Sequence, residues 1–402
     1  MSCLRFNKIK NLKKYSIMTK KNESLVAKYY LETTKNLYDV AETLVEMETT
    51  GKWSFEKKPT DLYNACKGSV LSVEEIEPGK GYVSLQYPMI NFNMEESAFS
   101  SFWLYMIGGA THALIDYNKS RLVDFEFPEE YNKYFLGPKW GIDGTKKYLG
   151  VSDDDPIIGT IIKPTAGLTP DEVAEMAYSF AAGGLQFIKD DEKMMNTAYC
   201  PLDERVTKVM NAIKRAEDKT GKRVLYTPHI TTGPENIQRF AEKAINCGAR
   251  GLMVNIFASS FSSIKILRDN FDVPIYIHCG GKEAFGRAEG QGVSPEVVVK
   301  FARLMGGEFF RSNILGGYLV GGSEPEIHSL IDTMCRPMKN IKDMVPALSG
   351  GLSPNNLMEN LQAFGTGVMV LAGTGITQFK GGIASGVEAM KSVAAQYIGG
   401  KK

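Results

Sequence analysis

Cysteine is scarce in this chain and follows no redox or metal-binding spacing. The 402 residues contain six cysteines, and no two of them are arranged as Cys-x-x-Cys. Thiols this few and this scattered exclude a disulfide scaffold of the kind that stabilises small secreted domains. We therefore expect a reducing compartment and a cytoplasmic protein.

Long apolar runs and an excess of charge of one sign are also missing. No stretch of about 18 apolar residues occurs, so no membrane-spanning helix is predicted. The 47 Lys and Arg residues are balanced by 46 Asp and Glu residues, which leaves a formal charge of +1 and no basic field for nucleic acid. No Gly-x-Gly-x-x-Gly turn follows a strand, which argues against a dinucleotide-dependent oxidoreductase. These exclusions leave an enzyme that acts on small molecules by another kind of chemistry.

The first 22 residues differ in composition from the rest of the chain. They hold seven Lys or Arg residues, and no Asp or Glu precedes Glu23. This composition suits an organelle transit peptide, and it equally suits a disordered extension with the compact protein beginning at Met18. Residues 1–23 are therefore set apart from the folded domains, with both interpretations open.

Two folded domains are predicted from a change of pattern along the chain. Residues 24–150 mix short strands and helices, which is typical of an α+β domain, and end in a connector rich in Gly, Pro and Lys. Residues 151–402 alternate apolar strands with amphipathic helices in eight units, the number found in a (β/α)₈ TIM barrel. The predicted fold class is α/β, with an α+β N-terminal domain before a C-terminal (β/α)₈ barrel. The barrel strands are predicted near residues 156–163, 184–189, 223–229, 251–255, 273–278, 308–312, 344–349 and 367–371.

The most informative stretch is Gly183-Gly184-Leu185-Gln186-Phe187-Ile188-Lys189-Asp190-Asp191-Glu192. It reads as a buried strand that ends in a lysine and three carboxylates. Catalytic groups of a barrel gather at the C-terminal ends of its strands, so this end should stand at the mouth. Carboxylate oxygens suit Mg²⁺, which also keeps water or substrate oxygens in its shell. The alternative is a solvated run of charge, and the lysine is unexpected unless it pairs with the carboxylates or becomes an anionic ligand.

The other predicted strand ends are polar as well. One functional site explains such a set better than eight separate accidents, although Lys163 alone would read as a surface lysine and His278 alone as a core histidine. The glycine-rich ends of strands seven and eight occupy the places where barrels bind phosphate through backbone N–H groups. The residues concerned are Lys163, Lys189 to Glu192, His229, Asn255, His278, Arg311, Ser349-Gly350-Gly351 and Gly373-Thr374-Gly375.

These motifs resemble those of the RuBisCO large-subunit superfamily from about Ser24 onwards. The metal-site stretch is the most specific match, and four shorter motifs support it: Gly159-Thr160-Ile161-Ile162-Lys163-Pro164, Ile277-His278, Ser349-Gly350-Gly351 and Thr49-Thr50-Gly51-Lys52-Trp53. The resemblance implies a CO₂-derived carbamate on Lys189 that binds Mg²⁺ together with Asp191 and Glu192. It also implies a homodimer, or a multiple of dimers, in which the first domain of a partner subunit completes each site.

The resemblance further implies roles for individual residues. Lys163, Lys189 and His278 would be catalytic. A phosphorylated substrate would be bound by Arg311, Ser349, Gly350, Gly351, Gly373 and Gly375, and by Thr50 and Trp53 of the first domain.

Four departures from the family's carboxylases bear on the reaction. Thr165 replaces a second lysine, Tyr318 replaces the lysine that holds CO₂, Cys279 replaces a phosphate-binding arginine, and Gly109 replaces a metal-site asparagine. Carboxylation is therefore not expected, and the pattern is similar to that of the non-carboxylating RuBisCO-like proteins. Their chemistry includes enolase and isomerase steps of methionine salvage and decarboxylation or transcarboxylation of oxo-sugar-acid phosphates.

The expected function is Mg²⁺-dependent enediolate formation, with Lys163 removing a proton next to a carbonyl. The salvage enolase takes its base from the position of Gly109, so retention of Lys163 fits an isomerase or an oxo-acid phosphate enzyme at least as well. Two other hypotheses stay open at this point. One is a true ribulose-bisphosphate carboxylase, and the other is a non-catalytic barrel kept for binding or regulation.

Overall fold

The structure, a computed structural model, describes residues 23–400. The basic segment 1–22 lies outside the described residues, so its two interpretations stay predictions. Within residues 23–400, no helix is both long enough and apolar enough to cross a membrane.

The N-terminal part is built on antiparallel strands whose residues alternate between buried and partly exposed. This alternation places Leu25, Ala27, Tyr29 and Leu31 in one buried row, because successive side chains of a strand point to opposite faces. The elements are β1 (Ser24–Glu32), α1 (Leu37–Met47), α2 (Asp61–Cys66), β2 (Ser69–Glu77), β3 (Lys80–Pro88), α3 (Ala98–Met106) and β4 (Lys119–Glu126), with 3₁₀ turns at Met89–Asn91 and Glu129–Tyr134.

The remainder of the chain alternates strands and helices. Its elements are α4 (Gly141–Leu149), β5 (Ile157–Ile161), α5 (Pro170–Gly183), β6 (Phe187–Lys189), α6 (Leu202–Thr220), β7 (Leu225–Thr227), α7 (Ile237–Asn246), β8 (Leu252–Asn255), α8 (Ile256–Ser259), α9 (Phe261–Asn270), β9 (Ile275–His278), α10 (Lys282–Gly286), β10 (Gly292–Val293), α11 (Pro295–Met305), β11 (Phe309–Ser312), α12 (Glu324–Cys335), β12 (Val345–Leu348), α13 (Pro354–Phe364), β13 (Met369–Leu371), α14 (Thr374–Thr377) and α15 (Gly382–Gly399), with a 3₁₀ turn at Pro234–Asn236.

Eight parallel strands form the barrel, which confirms the predicted fold class. The hydrogen-bonded order is β7-β6-β5-β13-β12-β11-β9-β8, and a parallel bridge between His229 and Met253 closes the ring between β7 and β8. Two barrel helices begin with a side-chain N-cap, since Thr169 caps α5 and Ser353 caps α13 with their side-chain oxygens. Such a cap contributes about 1 kcal/mol to helix stability.

The barrel interior is apolar, and α4 closes its N-terminal end. Phe187, Tyr276 and Phe309 pack together inside the barrel, and Leu149 of α4 belongs to the same buried cluster. The Gly-, Pro- and Lys-rich connector predicted at the end of the N-terminal domain therefore contains a helix, α4, which we did not predict. The buried carboxylate of Glu308 accepts the N–H groups of residues 139, 140 and 141 and so caps the start of α4.

The two parts of the chain share one sheet. The short strand β10, which follows α10, pairs in parallel with β4 and extends the N-terminal sheet to the order β10-β4-β1-β3-β2. The side chain of Gln291 accepts the N–H of Ser120 at 2.9 Å beside this pairing. The elements α2, α8, α10, β10 and α14 were not predicted, because two to six residues carry too little periodicity to be recognised.

Candidate active site

The residues predicted at the strand ends do meet at the C-terminal mouth of the barrel. Ile161, Lys189 and Thr227 are register neighbours on β5, β6 and β7. Register partners on parallel strands face the same side, and Ile161 packs against the cluster inside the barrel. Lys189 and Thr227 therefore also point inward, one layer above the apolar core.

Lys163 and Asp191 form an ion pair at this mouth. Nζ of Lys163 lies 2.5 Å from Oδ2 of Asp191, and it also donates to Oγ1 of Thr165 at 3.3 Å. The Asp191 side chain is 7% exposed and that of Lys163 is 28% exposed, so the pair marks the border between the interior and solvent. An amine and a carboxylate that the sequence assigned separately, as base and as metal ligand, are direct neighbours.

Lys189 is buried with little hydrogen bonding. Its Nζ donates to the carbonyl oxygen of Asp190 at 2.8 Å, contacts Sδ of Met253 at 3.5 Å and lies 5.2 Å from the centre of the Tyr276 ring. Burial lowers the pKa of Lys189 to about 8, although the carboxylates of Asp191 and Asp190 oppose the shift. A substantial fraction of this amine is thus neutral in mildly alkaline solution, and the neutral amine is the form that reacts with CO₂.

Asp190 does not belong to the mouth, although it stands between Lys189 and Asp191, which are two of the three predicted metal ligands. Its carboxylate accepts hydrogen bonds from the hydroxyl of Tyr226 at 2.6 Å, from Nε of Arg205 at 3.1 Å and from the N–H of His229 at 2.9 Å. Each of its oxygens therefore has a donor from the protein. Asp190 anchors the end of β6, which fixes the direction in which Asp191 and Glu192 point.

Arg205 is the partner that sequence reasoning missed. Its fully buried guanidinium binds Asp190 and also donates to the carbonyl oxygens of Met194, Met195 and Cys200, each at 2.9 Å. Arg205 thereby holds the loop that follows the metal-site stretch. A signal was present, since this arginine lies on the apolar stripe of α6 beside Leu202, Val206 and Val209. A charge on a buried stripe requires a buried partner.

His278 lies beside Glu192 as a neutral ring. Burial holds the pKa of His278 well below its usual value, with nearby Lys189 acting in the same direction. Nδ1 accepts the N–H of Gly280 at 3.2 Å, so we assign the ring proton to Nε2. Oε2 of Glu192 lies 3.5 Å from the same Nδ1, and the contact is not an ion pair because the ring is uncharged. A cation near the two acceptors would stabilise this arrangement.

These donors fit a Mg²⁺ site only if Lys189 is modified. No group of three His, Cys, Asp or Glu residues suited to a metal ion exists among residues 23–400, so the chain by itself offers the two carboxylates of Asp191 and Glu192. A carbamate on Lys189 would add a third oxygen ligand. Buried polar atoms without a partner remain for its other oxygen, among them Oγ1 of Thr227, which is the register neighbour of Lys189. The residues present therefore fit the metal and the carbamate that the family implies.

Two further strand-end residues, His229 and Asn255, have structural roles beside the site. His229 contacts the hydroxyl of Thr231, and burial lowers its pKa to about 3, so the ring is neutral. Asn255 caps α8 through its side-chain oxygen Oδ1. Its Nδ2 donates to the carbonyl oxygen of Gly280 at 3.0 Å. Asn255 thus positions the turn that supports His278.

Arg311 stands on the strand-six side of the mouth. One of its terminal nitrogens donates to Oδ1 of Asn313 at 2.8 Å. Sγ of the buried Cys279 lies 3.8 Å from the backbone carbonyl oxygen of Arg311. Lys282 follows β9 nearby and pairs with Glu283 at 2.7 Å. The rest of the Arg311 guanidinium makes no side-chain ion pair among residues 23–400, which leaves it able to bind an anion.

The glycine turn after β12 follows the strand that pairs with β11, and the turn after β13 follows the next strand of the ring. Gly350 and Gly351 have φ angles of +106° and +108°, a conformation that favours glycine. An added Cβ on Gly373 would lie 3.3 Å from Cγ of Lys163, so this turn borders the Lys163 side chain. Gly375 lies in α14, and a Cβ added to it would clash with the carbonyl oxygen of Leu352. Ser349 is buried, and its N–H donates to Ser312 at 3.1 Å.

In the described part of the chain, Thr50 and Trp53 make local contacts and none to this mouth. Nε1 of Trp53 donates to the carbonyl oxygen of Lys57 at 2.7 Å, and its ring packs against Tyr63 at 4.7 Å. The hydroxyl of Thr50 faces the carbonyl oxygen of Gly51 at 3.2 Å. Their predicted role depends on a partner subunit and stays a prediction.

A cavity of about 400 Å³ lies away from the mouth, between β4 and helices α11 and α12. Several of its charged groups already have partners: Lys300 pairs with Asp124 at 2.8 Å, and Arg303 donates to the backbone carbonyl oxygens of Arg336 and Lys342. Size alone therefore does not make it the active site, and the convergent side chains at the mouth outweigh it.

Comparisons with known proteins identify the family of this fold. Residues 141–401 match the family described as ribulose bisphosphate carboxylase large chain, catalytic domain, and residues 13–131 match its N-terminal domain. A ribulose bisphosphate carboxylase of Methanocaldococcus jannaschii is 27% identical over 387 residues, which covers 91% of this chain and 90% of the relative. A 3-oxo-isoapionate-4-phosphate decarboxylase of Rhizobium rhizogenes is 29% identical over 392 residues, with coverages of 92% and 91%.

A solved structure extends the agreement to three dimensions. The octameric ribulose-1,5-bisphosphate carboxylase/oxygenase of Pyrococcus horikoshii superposes with a TM-score of 0.88 at 25% identity, covering 94% of this chain and 89% of that chain. Both domains and the order of the barrel strands are thus accounted for by one family. The chain belongs to the ribulose bisphosphate carboxylase large-chain family.

Proposed function

We propose that the protein is a Mg²⁺-dependent enzyme of the non-carboxylating, RuBisCO-like branch that forms an enediolate from a phosphorylated ketose, diketose or oxo-sugar acid. The observation that carries the proposal is the contact of Lys163 with Asp191, 2.5 Å apart, beside the buried amine of Lys189. A base next to a metal-ligand carboxylate is what proton removal alpha to a carbonyl requires.

Each residue at the mouth has a role in this reaction. Mg²⁺ held by Asp191, Glu192 and carbamylated Lys189 would supply a Lewis acid that stabilises negative charge developing on a substrate oxygen. Lys163 takes the proton, and its amine is within reach because its stem lies along Gly373. His278 donates from Nε2 to a substrate oxygen, since its Nδ1 is occupied by Gly280. Arg311 and the N–H groups of Gly350, Gly351 and Gly375 are the anchors for phosphate, and Ser349 borders them.

Loss of CO₂ is compatible with the same site. Removal of a carboxylate from a 3-oxo acid leaves its electron pair on the neighbouring carbonyl system, which gives the same type of enediolate as proton removal. The similarity to a 3-oxo-isoapionate-4-phosphate decarboxylase supports this outcome. Carboxylation is the second candidate function, because an archaeal carboxylase is 27% identical to this chain. Thr165, Tyr318 and Cys279 argue against it, since they replace residues that the carboxylases use.

Assembly as a homodimer, or as a multiple of dimers, belongs to the proposal. Among residues 23–400, Thr50 and Trp53 have only local partners, so a second copy would have to bring them to the mouth. The octameric state of the Pyrococcus horikoshii carboxylase supports an assembly of this kind.

The test is hydrogen exchange in deuterated water with Mg²⁺ and bicarbonate present. Methylthio-ketose phosphates and oxo-isoapionate-type phosphates are incubated with the protein, and the carbon next to the carbonyl is followed by NMR. We expect deuterium incorporation or CO₂ release that Lys163→Met and Lys189→Met abolish. Lys214→Met, an exposed lysine on α6, is the matched control and should behave like wild type. Exchange that survives in both active-site variants would rule out the mechanism, and fixation of labelled CO₂ into ribulose bisphosphate would favour carboxylation.

A further inference from the structure

The cavity between β4 and helices α11 and α12 lies where the N-terminal sheet meets the outer helices of the barrel. Its volume of about 400 Å³ is in the range of small-molecule sites. None of the residues assigned to the mouth lines it. Its charged lining residues are Arg121, Asp124, Glu296, Lys300, Arg303 and Arg336.

Cations outnumber anions in this lining. Four of the side chains are positive and two are negative, so the formal net charge is +2. Lys300 and Asp124 neutralise each other, with Nζ and Oδ1 2.8 Å apart. Glu296 has no cationic partner among residues 23–400, and its Oε1 accepts the hydroxyl of Ser329 at 2.8 Å. Three arginines therefore stand against one unpaired carboxylate.

None of the three arginines forms an ion pair in the described part of the chain. One terminal nitrogen of Arg121 donates to the carbonyl oxygens of Gly286 and Ala288 at 3.1 and 3.3 Å, which leaves its other two nitrogens available. The side chain of Arg336 is exposed and has no hydrogen-bond partner among the described residues. Two guanidinium groups can thus donate paired hydrogen bonds, the geometry that suits a phosphate.

Arg303 is 1% exposed and contributes a buried positive charge to the same cavity. Its guanidinium donates to the carbonyl oxygens of Arg336 at 2.6 Å and Lys342 at 2.8 Å, which supply hydrogen bonds but no full negative charge. Burial lowers the pKa of Arg303, Asp343 opposes this shift, and the like charge of Arg336 adds to it. An anion beside Arg303 and Arg336 would offset their repulsion.

The first turn of α11 adds positive potential. Ser294 stands at the N-cap position of this eleven-residue helix, but its hydroxyl donates to the carbonyl oxygen of Val123 at 2.9 Å and does not cap the helix. The N-terminal end of a helix carries partial positive charge and N–H groups without intrahelical partners. Ser294 and Glu296 line the cavity, so this end of α11 borders it.

We propose that this cavity is a second anion-binding site, which takes a phosphate monoester of a small molecule. A phosphate monoester carries a charge of about −1.5 to −2 near neutral pH, which matches the net charge of the lining. Arg121 and Arg336 bind its oxygens, while Arg303 and the first turn of α11 supply positive potential. The site is separate from the mouth, so the inference goes beyond the proposed function and does not depend on it.

A ligand in this cavity would join the two parts of the chain. It contacts the N-terminal sheet through Arg121 and the barrel helices through Arg336. Because a ligand that binds only the folded state stabilises it, occupancy should raise the midpoint of thermal unfolding.

The test is a calorimetric titration with glycerol 3-phosphate in the absence of Mg²⁺. Every protein in the series carries Arg311→Met, which removes the arginine proposed to bind phosphate at the mouth. This parent should bind one glycerol 3-phosphate per chain and unfold at a higher temperature in its presence. Adding Arg121→Met or Arg336→Met should weaken binding about tenfold or more, because each removes a charge-assisted contact. Arg336→Lys keeps the charge without the fork and should fall between.

A substitution of opposite charge gives the opposite expectation. Glu296→Gln removes a negative charge from the lining and should tighten binding about two- to tenfold, an effect that a purely structural role would not produce. Arg215→Met, at an exposed position on α6, is the matched control and should leave the affinity unchanged. Arg336 is equally exposed, so the unfolding midpoint without ligand should be the same in Arg336→Met and Arg215→Met.

Several results would overturn the proposal. They are no binding to the parent, binding that survives in both Arg121→Met and Arg336→Met, or an equal loss in Arg215→Met. Unchanged or weaker binding in Glu296→Gln would also contradict it. Succinate, a dianion without phosphorus, should bind the parent about tenfold more weakly than glycerol 3-phosphate, and equal affinity would show that the site does not select phosphate.

Discussion

The amine of Lys163 lies 2.5 Å from Oδ2 of Asp191, across the ends of the first two barrel strands. The carboxylate that is proposed to bind Mg²⁺ is therefore shared with the residue proposed to remove the substrate proton. A cation bound by Asp191 would compete with the Lys163 ammonium for the same oxygen, so metal binding favours release of the lysine from this pair. The base becomes available where the metal is present.

Removal of Lys163 should consequently have opposite effects on metal binding and on catalysis. Lys163→Met removes a positive charge next to a metal ligand, so Mg²⁺ should bind about two- to tenfold more tightly, while proton exchange is lost. Calorimetric titration with Mg²⁺ in the presence of bicarbonate measures the first effect. Weaker Mg²⁺ binding in Lys163→Met would contradict the competition, and Lys214→Met serves as the control.

Lys189 should take up CO₂ with a dependence on pH. The pKa of this buried amine is about 8, so the neutral form increases as the pH rises through that value, and carbamate formation should increase with it. A carbamate resonance from ¹³C-labelled bicarbonate, followed by NMR between about pH 7 and 9, is the measurement. Lys189→Ala should lack the resonance, whereas Lys193→Ala, which removes the exposed neighbouring lysine, should retain it. A resonance that persists in Lys189→Ala would refute the assignment.

The Asp190–Arg205 pair should be essential to the fold of the site. Arg205→Met leaves a buried carboxylate without its cation, which costs about 3–5 kcal/mol of unfolding free energy. Asp190→Asn combined with Arg205→Met removes both charges and should recover part of that loss. Urea unfolding of the single and double variants measures the coupling. Additive losses would show that the two residues act independently.

Glu308 should make stability depend on pH at the closed end of the barrel. Burial raises the pKa of Glu308 to about 7 even though three backbone N–H groups favour its ionised form. The contribution of Glu308 to the free energy of unfolding is complete below about pH 4.5, the pKa of this group in the unfolded chain. It is lost as the pH rises through about 7, the pKa in the folded protein, a change on the order of 3 kcal/mol. Unfolding free energies measured across this range should therefore decline in wild type and decline less in Glu308→Gln. Glu359→Gln, at an exposed position on α13, should keep the wild-type slope.

The sequence was informative wherever a pattern repeats or a motif is contiguous. Eight alternations of strand and helix predicted the barrel, and strand ends predicted that Lys163, Lys189 and His278 share one face. Asp190 was harder to interpret, because it stands in the same charged run as Asp191 and differs only in the direction that the end of β6 gives it. Arg205 lay outside any motif, and its partner is 15 residues away along the chain.

What the sequence by itself determined is the architecture and the chemical types at the mouth, because periodicity and strand order are encoded locally. Only the tertiary structure decided which of these side chains touch. It placed Lys163 on Asp191 and paired Asp190 with the buried Arg205. It also closed the barrel with α4, whose start is capped by Glu308. The reason is physical: burial, pKa and ion pairing depend on neighbours brought together from distant parts of the chain, and those neighbours exist only once the barrel has closed.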